Sequence, residues 1–279
     1  MAQKTRDDIV ATSLRPLEDV QGRPDTRNLT ISAAGVRAVR HPLRFVDRDG
    51  TPQHTIAECD LSVQVPHDVK GAHMSRFLEL LGEHDGALSV ANVREFAAAM
   101  NARLQADRGR LRLSFPWFVK KAAPVSGVTS LIDYLVTLDV DGSSDESGVR
   151  LSVAVPATSL CPCSKDISDY GAHNQRSVIT ITVEPDAASM QALFVEDLID
   201  VAEAAASSPV YGVLKRPDEK FVTEAAYDNP KFVEDLVRDV AGPLNDDERV
   251  AAYSVDVENF ESIHNHSAFA RIEHDKREA

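Results

Sequence analysis

Three short stretches in the second half of the sequence collect side chains that can bind metals and transfer protons. Residues 159–177 hold two thiols, one imidazole and two cations, while residues 211–221 concentrate positive charge. Residues 258–267 add carboxylates and two further histidines. Thiolate and imidazole are ligands that zinc prefers, and carboxylates suit manganese or iron. This inventory is typical of a metal-activated water that acts on a polar, anionic substrate.

In the first stretch, a single proline separates Cys161 from Cys163. Zinc ribbons place two residues between paired thiols, so metal binding by one of these cysteines is favoured over binding by both. A lone Cys or His is better explained by packing. The density of Cys161, Cys163, His173 and Arg176 in one connection between strands instead favours a site. A nucleophilic cysteine with a histidine base is a further interpretation of the same composition.

The second stretch contains Lys215, Arg216 and Lys220 in an otherwise acidic chain. These cations could bind phosphate or carboxylate, although a solvated loop between two helices explains them better when they are taken alone. Glu219 is either a hard oxygen ligand or a surface carboxylate. Glu234 lies near the start of the next predicted helix, which is expected over residues 230–241 with Pro230 at its start. A glutamate on such a helix face is usually solvated.

The third stretch joins the last two predicted strands. His264 and His266 alternate in what is expected to be an extended chain, so one faces a site and the other faces away. A histidine in such a site is a metal ligand or a proton shuttle. The carboxylate of Glu261 could accept two N–H bonds from an edge like that of guanine. The alternative interpretation of the stretch is a polar hairpin turn.

The elements that must position these residues follow from hydrophobic periodicity. Each half of the chain reads strand, strand, helix, helix, strand, strand, which predicts an α+β fold with antiparallel strands and paired helices on one face. The predicted divisions are an N-terminal arm over residues 1–27, a first unit over 28–142 and a second unit over 147–275. The second unit carries most of the candidate site residues.

Composition excludes several classes of protein. The 279 residues include 44 acidic and 30 basic side chains, giving a net charge of −14. This charge argues against a nucleic-acid or anionic-membrane partner. The sequence has neither a signal-like start nor a long apolar run, which predicts a cytoplasmic protein. The three cysteines do not form a disulfide framework.

Four motifs, in this order, closely resemble the signature of the prokaryotic type IB GTP cyclohydrolase I family. They occupy residues 161–177 (CPCSKDISDYGAHNQRS), 214–220 (LKRPDEK), 229–235 (NPKFVED) and 260–267 (FESIHNHS). In the first half, residues 19–28 and 70–77 (KGAHMSRF) are also similar to that family. The resemblance covers nearly the whole chain.

The resemblance implies the tunnelling fold, with two ββααββ units per subunit. The expected reaction converts GTP and water into 7,8-dihydroneopterin triphosphate and formate, the entry to tetrahydrofolate synthesis. The expected assembly is a homotetramer whose active sites lie at subunit interfaces. A divalent metal is expected, with Zn²⁺ first, Mn²⁺ as a serious alternative and Fe²⁺ possible.

By position in the motifs, the resemblance implies that Cys161 is the thiolate ligand and that Glu219 and His173 lie on or near the metal. Glu234 is expected to be a mobile carboxylate, and His264 an acid–base group. The other implied site residues are Cys163 beside the metal, Glu261 at the guanine edge, and the substrate-binding candidates Arg176, Lys215, Arg216, Lys220 and His266.

Three alternatives remain open from the sequence. The first is the related archaeal-type activity, whose product is a cyclic phosphate of dihydroneopterin. The second is a metal-binding or pterin-binding module without turnover. The third is a transferase with a cysteine nucleophile.

Overall fold

Nine strands form one antiparallel sheet in the computed structural model, which describes residues 19–46, 48–143 and 147–278. The sheet order is β1-β2-β3-β4-β5-β6-β8-β9, and the short β7 pairs with β5. The strands are β1 Ile31–Phe45, β2 Gln53–Val65, β3 Arg108–Ala122, β4 Thr129–Ser143, β5 Ser147–Leu160, β6 Asn174–Pro185, β7 Ser208–Pro209, β8 Val250–Asn259 and β9 Ala268–Asp275.

Period-two alternation explains why these segments are strands. In β2, Ala57, Cys59 and Leu61 are buried, whereas Ile56 and Glu58 on the opposite face are exposed. Side chains of successive strand residues point to opposite faces, so one face of the sheet packs into the core and the other faces outward. The predicted α+β class with an antiparallel sheet is confirmed.

Six α-helices are described, and four of them, α1, α2, α4 and α6, contribute apolar faces to the core. They are α1 Met74–Glu83, α2 Val93–Leu104, α3 Pro162–Ile167, α4 Val195–Ala205, α5 Arg216–Asp228 and α6 Val233–Asp246. The first four long strands enclose α1 and α2, giving the order ββααββ. In the second set of strands, three helices, α4 to α6, lie between β6 and β8, and the short α3 is a fourth helix between β5 and β6.

Two expectations about these helices were wrong. Residues 211–221 were expected to form a loop, but α5 begins at Arg216. Its start has Pro217 within the first turn, followed by Asp218 and Glu219, and such residues favour a helix N-terminus. The last helix was expected to start at Pro230, but α6 begins at Val233 because the Asp235 carboxylate accepts the Phe232 N–H at 3.0 Å.

The two halves of the chain share one continuous sheet. Strands β4 and β5 pair directly, with Val140 opposite Val149. A partly buried polar cluster also joins the halves, since the Lys121 ammonium on β3 donates to Glu203 of α4 at 2.6 Å. The hydroxyl of Tyr134 donates to the same carboxylate at 2.7 Å. Helices of the second half are therefore fixed against strands of the first.

Residues 1–18 of the predicted N-terminal arm lie outside the described residues. From Asp19 the chain runs beside residues 66–71, with Pro24 and Val69 forming a β-bridge. The Asp19 carboxylate lies 2.8 Å from Nε2 of His73, so the two first-half motifs are in contact. Within the described ranges, no helix has the length and apolar character needed to cross a membrane.

Candidate active site

Cys161 lies at the junction between β5 and α3. It is the N-cap residue of the short helix, and its Sγ accepts a hydrogen bond from the Ser164 N–H at 3.4 Å. Pro162 follows in the first turn, where its missing N–H leaves no intrahelical bond unmade. The strand end and the proline together fix the backbone that carries the Cys161 sulfur. The Cys163 thiol, two residues later, is exposed.

Backbone and hydroxyl contacts tie Cys161 to His173. The Cys161 N–H donates to the His173 carbonyl at 3.1 Å. The Ser164 hydroxyl donates to the Cys161 carbonyl and accepts from the His173 N–H, both at 3.1 Å. The 11 residues between Cys161 and His173 therefore fold back on themselves, and the predicted proximity of these two residues is observed.

Two side chains meet Nδ1 of the His173 imidazole. Oε1 of Gln175 lies 3.0 Å away, and Oγ of Ser262 lies 3.3 Å away. A neutral imidazole that donates Nδ1–H to Gln175 keeps its lone pair on Nε2, which is the form needed in a metal ligand or a proton acceptor. Ser262 also brings the third stretch of candidate residues to the first.

A network of buried, hydrogen-bonded polar side chains holds the Gln175 side chain in place. Its Nε2 donates to Oγ of Ser159 at 2.8 Å, which assigns Oε1 to His173. The Ser177 hydroxyl lies 3.2 Å from Ser159 Oγ and 2.6 Å from Oδ1 of Asn259. The exposed fractions of these four side chains are between 0% and 7%. Because buried polar groups are costly when unpaired, this network defines one orientation of Gln175.

The residues of this network were missed by the sequence analysis, although a signal was available. Ser159, Gln175, Ser177 and Asn259 all occupy positions that face the core in β5, β6 and β8, and they pair across neighbouring strands. The same positions farther along these strands are apolar. A local change from apolar to polar residues on an inward face would have identified this end of the sheet as a site.

Residues 260–267 run from β8 to β9 beside the first stretch. The Phe260 N–H donates to the Arg176 carbonyl at 2.9 Å, and Glu261 precedes the serine that contacts His173. His264 and His266 were expected to face opposite directions, and this expectation was wrong. Their rings stack with centroids 5.3 Å apart and an interplanar angle of 18°. The segment bends after β8 ends, so strand alternation does not apply.

The second stretch places its candidates at the first turn of α5. Lys215 is the N-cap residue, while Arg216, Glu219 and Lys220 are exposed. Lys220 pairs with Glu224 one helical turn later, so part of its charge is already compensated. In the described part of the chain, no contact joins Glu219 or these cations to Cys161 or His173.

Asp218 differs from these neighbours because it is fully buried. Burial alone would raise the pKa of this carboxyl. Hydrogen bonds from the Ser126 hydroxyl and from the N–H groups of Ser126, Lys215 and Val125 outweigh burial, and they hold the pKa well below its usual range. Asp218 is therefore ionised at neutral pH.

Glu234 is exposed in the first turn of α6. The turn before this helix is attached to the site, because the Lys231 N–H donates to the carbonyl of Leu160 at 3.0 Å. Leu160 directly precedes Cys161, so this contact brings the beginning of α6 towards the Cys161 end of β5.

The side chains gathered at this site supply only some of the ligands that a divalent metal needs. Cys161 and His173 are adjacent, and the engagement of His173 at Nδ1 leaves Nε2 as the ligand nitrogen. Across residues 19–46, 48–143 and 147–278, no group of three His, Cys, Asp or Glu side chains is close enough to hold a metal ion.

The architecture matches that of the tunnelling fold. A uricase from Bacillus fastidious superimposes with a TM-score of 0.51 at 12% identity, covering 91% of this chain and 95% of that one. A urate oxidase from Bacillus subtilis gives the same TM-score at 10% identity, with 88% and 100% covered. At these identities the likeness concerns the fold alone, and it defines the chain as an α+β protein of the tunnelling-fold class.

Sequence comparison gives the family. The profile described as type I GTP cyclohydrolase folE2 matches residues 17–270. GTP cyclohydrolase FolE2 of Nitrosococcus oceani is 54% identical over 268 residues, covering 96% of this chain and 99% of that protein. The FolE2 of Paraburkholderia xenovorans is 56% identical over 263 residues, covering 94% and 96%. The chain belongs to the type I GTP cyclohydrolase FolE2 family, which confirms the predicted enzyme class. Membership of this family does not by itself specify type IB.

Proposed function

We propose that this chain is a metal-dependent GTP cyclohydrolase of type IB that converts GTP and water into 7,8-dihydroneopterin triphosphate and formate for folate synthesis. The observation that carries the proposal is that His173 is held by the Cys161 backbone N–H at its carbonyl and by Ser262 at its imidazole, in a chain of the FolE2 family. The two motifs that contribute these residues are 83 or more positions apart in sequence. Their convergence is expected of a site and not of a packing motif.

The proposed metal ligands are Sγ of Cys161 and Nε2 of His173, with a carboxylate from Glu219 or Glu234. Thiolate with imidazole favours Zn²⁺, and a carboxylate in the set also suits Mn²⁺ or Fe²⁺. Such a metal, when bound, lowers the pKa of water from 15.7 towards roughly 7 and supplies a nucleophile at neutral pH. Cys163 is assigned a place beside this group, since its thiol is exposed two residues from Cys161.

Substrate binding is assigned to the surfaces on either side of His173. Glu261 is adjacent to Ser262 and would accept the N1–H and N2–H groups of guanine through its two oxygens. Arg176 and Arg216 are exposed and make no ion pair in the described residues, so they are available to the triphosphate, as is Lys215, which precedes Arg216 in the chain. Lys220 is a weaker candidate because it is paired with Glu224.

Opening of the imidazole ring of guanine requires proton transfer to N7 and, later, to the departing formamide nitrogen. With His173 proposed as a metal ligand, His264 is the candidate donor and acceptor, and His266 stacks on the His264 ring. The Gln175 network keeps the His173 ring in one orientation during these transfers. Glu234, exposed at the start of α6, is the proposed mobile carboxylate.

The proposed assembly is a homotetramer with active sites between subunits. Support comes from the two outer strands of the sheet, β1 and β9, which leave backbone groups available for pairing. Phe269 on β9 is 74% exposed, and Ile263 beside the candidate site is 64% exposed. Apolar side chains at an open sheet edge and at the site favour coverage by another copy.

The decisive test is incubation of the metal-depleted chain with GTP and added Zn²⁺, Mn²⁺ or Fe²⁺. Formate release and the fluorescence of the oxidised pterin are followed, and mass spectrometry identifies the product. A triphosphate product supports the proposal, a cyclic phosphate supports the archaeal-type activity, and no formate with any metal contradicts both.

Cysteine variants separate metal binding from covalent catalysis. Cys161→Ser is expected to lose metal and activity together, while Cys163→Ser retains most of its metal. An inactive Cys161→Ser protein that binds metal normally would instead favour a cysteine nucleophile.

A further inference from the structure

The first turn of α5 carries Glu219 and Lys215, and a turn from the other half of the chain holds it in place. The contact is made by Asp218, whose side chain is fully buried although its neighbours Arg216 and Glu219 are exposed. Neither the family motif nor the proposed chemistry assigns a role to this carboxylate. Its partners, Val125 and Ser126, belong to the turn between β3 and β4.

Asp218 accepts hydrogen bonds from four donors. Oδ1 accepts the N–H groups of Val125 and Ser126, both at 2.8 Å. Oδ2 accepts the Ser126 hydroxyl at 2.6 Å and the Lys215 N–H at 2.8 Å. A carboxylate has about four acceptor sites, so its capacity is used completely. Three of the donors come from the β3–β4 turn, and the fourth fixes the start of α5 itself.

The chain that leads into α5 is attached to the same hairpin. The Lys121 ammonium donates to the Val210 carbonyl at 3.1 Å and lies 4.4 Å from the centre of the Tyr211 ring. Gly212 runs so close to β4 that an added Cβ would lie 2.9 Å from the carbonyl oxygen of Leu131. The segment from residue 210 to residue 218 is thus held by β3, β4 and the turn between them.

We infer that Asp218 is a positioning residue, and that the β3–β4 turn sets the location of Glu219 and Lys215 for metal and GTP through it. This inference rests on the proposed function. The role is one of positioning because Asp218 is buried and reaches neither metal nor substrate. The first helical hydrogen bond runs from the Glu219 N–H to the Lys215 carbonyl at 2.9 Å, so the contacts of Asp218 fix the backbone of both residues.

The expected consequence is kinetic as well as structural. A shift of about 1 Å in a catalytic group can cost about a hundredfold in rate. Loss of the Asp218 hydrogen bonds frees the first turn of α5, because the end of a helix frays unless other contacts hold it. With Glu219 as the carboxylate ligand and with Lys215 and Arg216 on the triphosphate, metal affinity and the KM for GTP should deteriorate together, while residues 161–177 stay ordered.

The test compares Ser126→Ala, Ser126→Thr and Asp218→Asn in the full-length, metal-loaded protein, with Asp228→Asn as control. Asp228 is exposed at the other end of α5, so the control makes the same chemical change on the same helix. The readouts are kcat and KM for GTP, metal affinity by chelator competition, thermal midpoint, and amide hydrogen exchange of residues 215–220 against 161–177.

Ser126→Ala is expected to lower kcat/KM about tenfold and Asp218→Asn about a hundredfold, with faster exchange in residues 215–220 only. Ser126→Thr restores the hydroxyl and should recover activity, and Asp228→Asn should match the wild type. If the wild type turns over GTP and Ser126→Ala matches it in both kcat/KM and metal affinity, the positioning role is overturned and the proposed function is not. A wild-type protein that releases no formate with any metal would overturn the proposed function, and the positioning role with it.

Discussion

Nδ1 of His173 lies 3.0 Å from Oε1 of Gln175, and this contact determines which ring nitrogen faces the candidate metal position. Gln175 cannot reverse its amide without breaking its bond to Ser159 at 2.8 Å. The buried network therefore selects the imidazole form with a lone pair on Nε2. Outer hydrogen-bond partners of this kind usually matter almost as much as the ligands themselves.

Substitution of Gln175 should therefore weaken metal binding and activity. Gln175→Leu is expected to lower metal affinity or kcat/KM by about 10-fold to 100-fold, because it removes the acceptor that orients His173. Gln175→Glu retains an acceptor oxygen and should recover part of the loss. Chelator competition and GTP turnover measure the two effects, with Gln191→Leu at an exposed position as control. Equal activity of Gln175→Leu and the control would refute the proposed orientation role.

Much of this arrangement could be predicted from the sequence, and the missing part has a physical cause. Strands such as β2 and helices such as α1 follow from local periodicity, and the motifs identified Cys161 and His173. The support from Gln175, Ser159 and Asn259 depends on which residues pair across the sheet, which one sequence does not specify. The stacking of His264 on His266 was missed because the chain bends after β8.

The three cysteines should differ in their reactivity towards iodoacetamide. Burial, together with the nearby charges of Asp60 and Glu58, raises the pKa of Cys59 to about 11. A raised pKa keeps Cys59 in the unreactive thiol form at pH 8, whereas Cys163 is exposed. Mass spectrometry of the native protein should detect labelling of Cys163 well before Cys59, and guanidinium should equalise them.

Bound metal should change the iodoacetamide reactivity of one cysteine only. Bound Zn²⁺ is expected to protect Cys161 and to leave Cys163 accessible, because only Cys161 is proposed as a ligand. Equal protection of both thiols would indicate that the Cys-Pro-Cys segment binds metal through two sulfurs.

The polar cluster between the halves should contribute more to stability than a surface ion pair. Glu203 accepts from Lys121 and Tyr134, and the side chains of Glu203 and Lys121 are 16% and 15% exposed. Glu203→Ala removes the carboxylate partner of Lys121, which keeps its bond to the Val210 carbonyl, and leaves the Tyr134 hydroxyl without its acceptor. We therefore expect a loss of about 2 kcal/mol in the free energy of unfolding.

Glu224→Ala is the matched control, since Glu224 forms an exposed pair with Lys220 on α5. Its loss should be about 0.5 kcal/mol or less. Urea denaturation followed by circular dichroism measures both variants. Similar losses for the two would mean that the cluster does not join the halves energetically.

The net charge of −14 opposes the approach of GTP at long range, so local cations must bind its triphosphate. Arg216 makes no ion pair in the described residues, whereas Lys220 is paired with Glu224. Arg216→Gln should therefore raise the KM for GTP about tenfold, as loss of a charged hydrogen bond does, while Lys220→Gln should change it less than about twofold. Steady-state kinetics at low and high KCl measure both variants. Because overall repulsion and local attraction are screened together, the wild-type KM should vary only weakly with salt. A steep fall in KM with salt would mean that overall repulsion dominates substrate association, and this outcome would contradict the prediction.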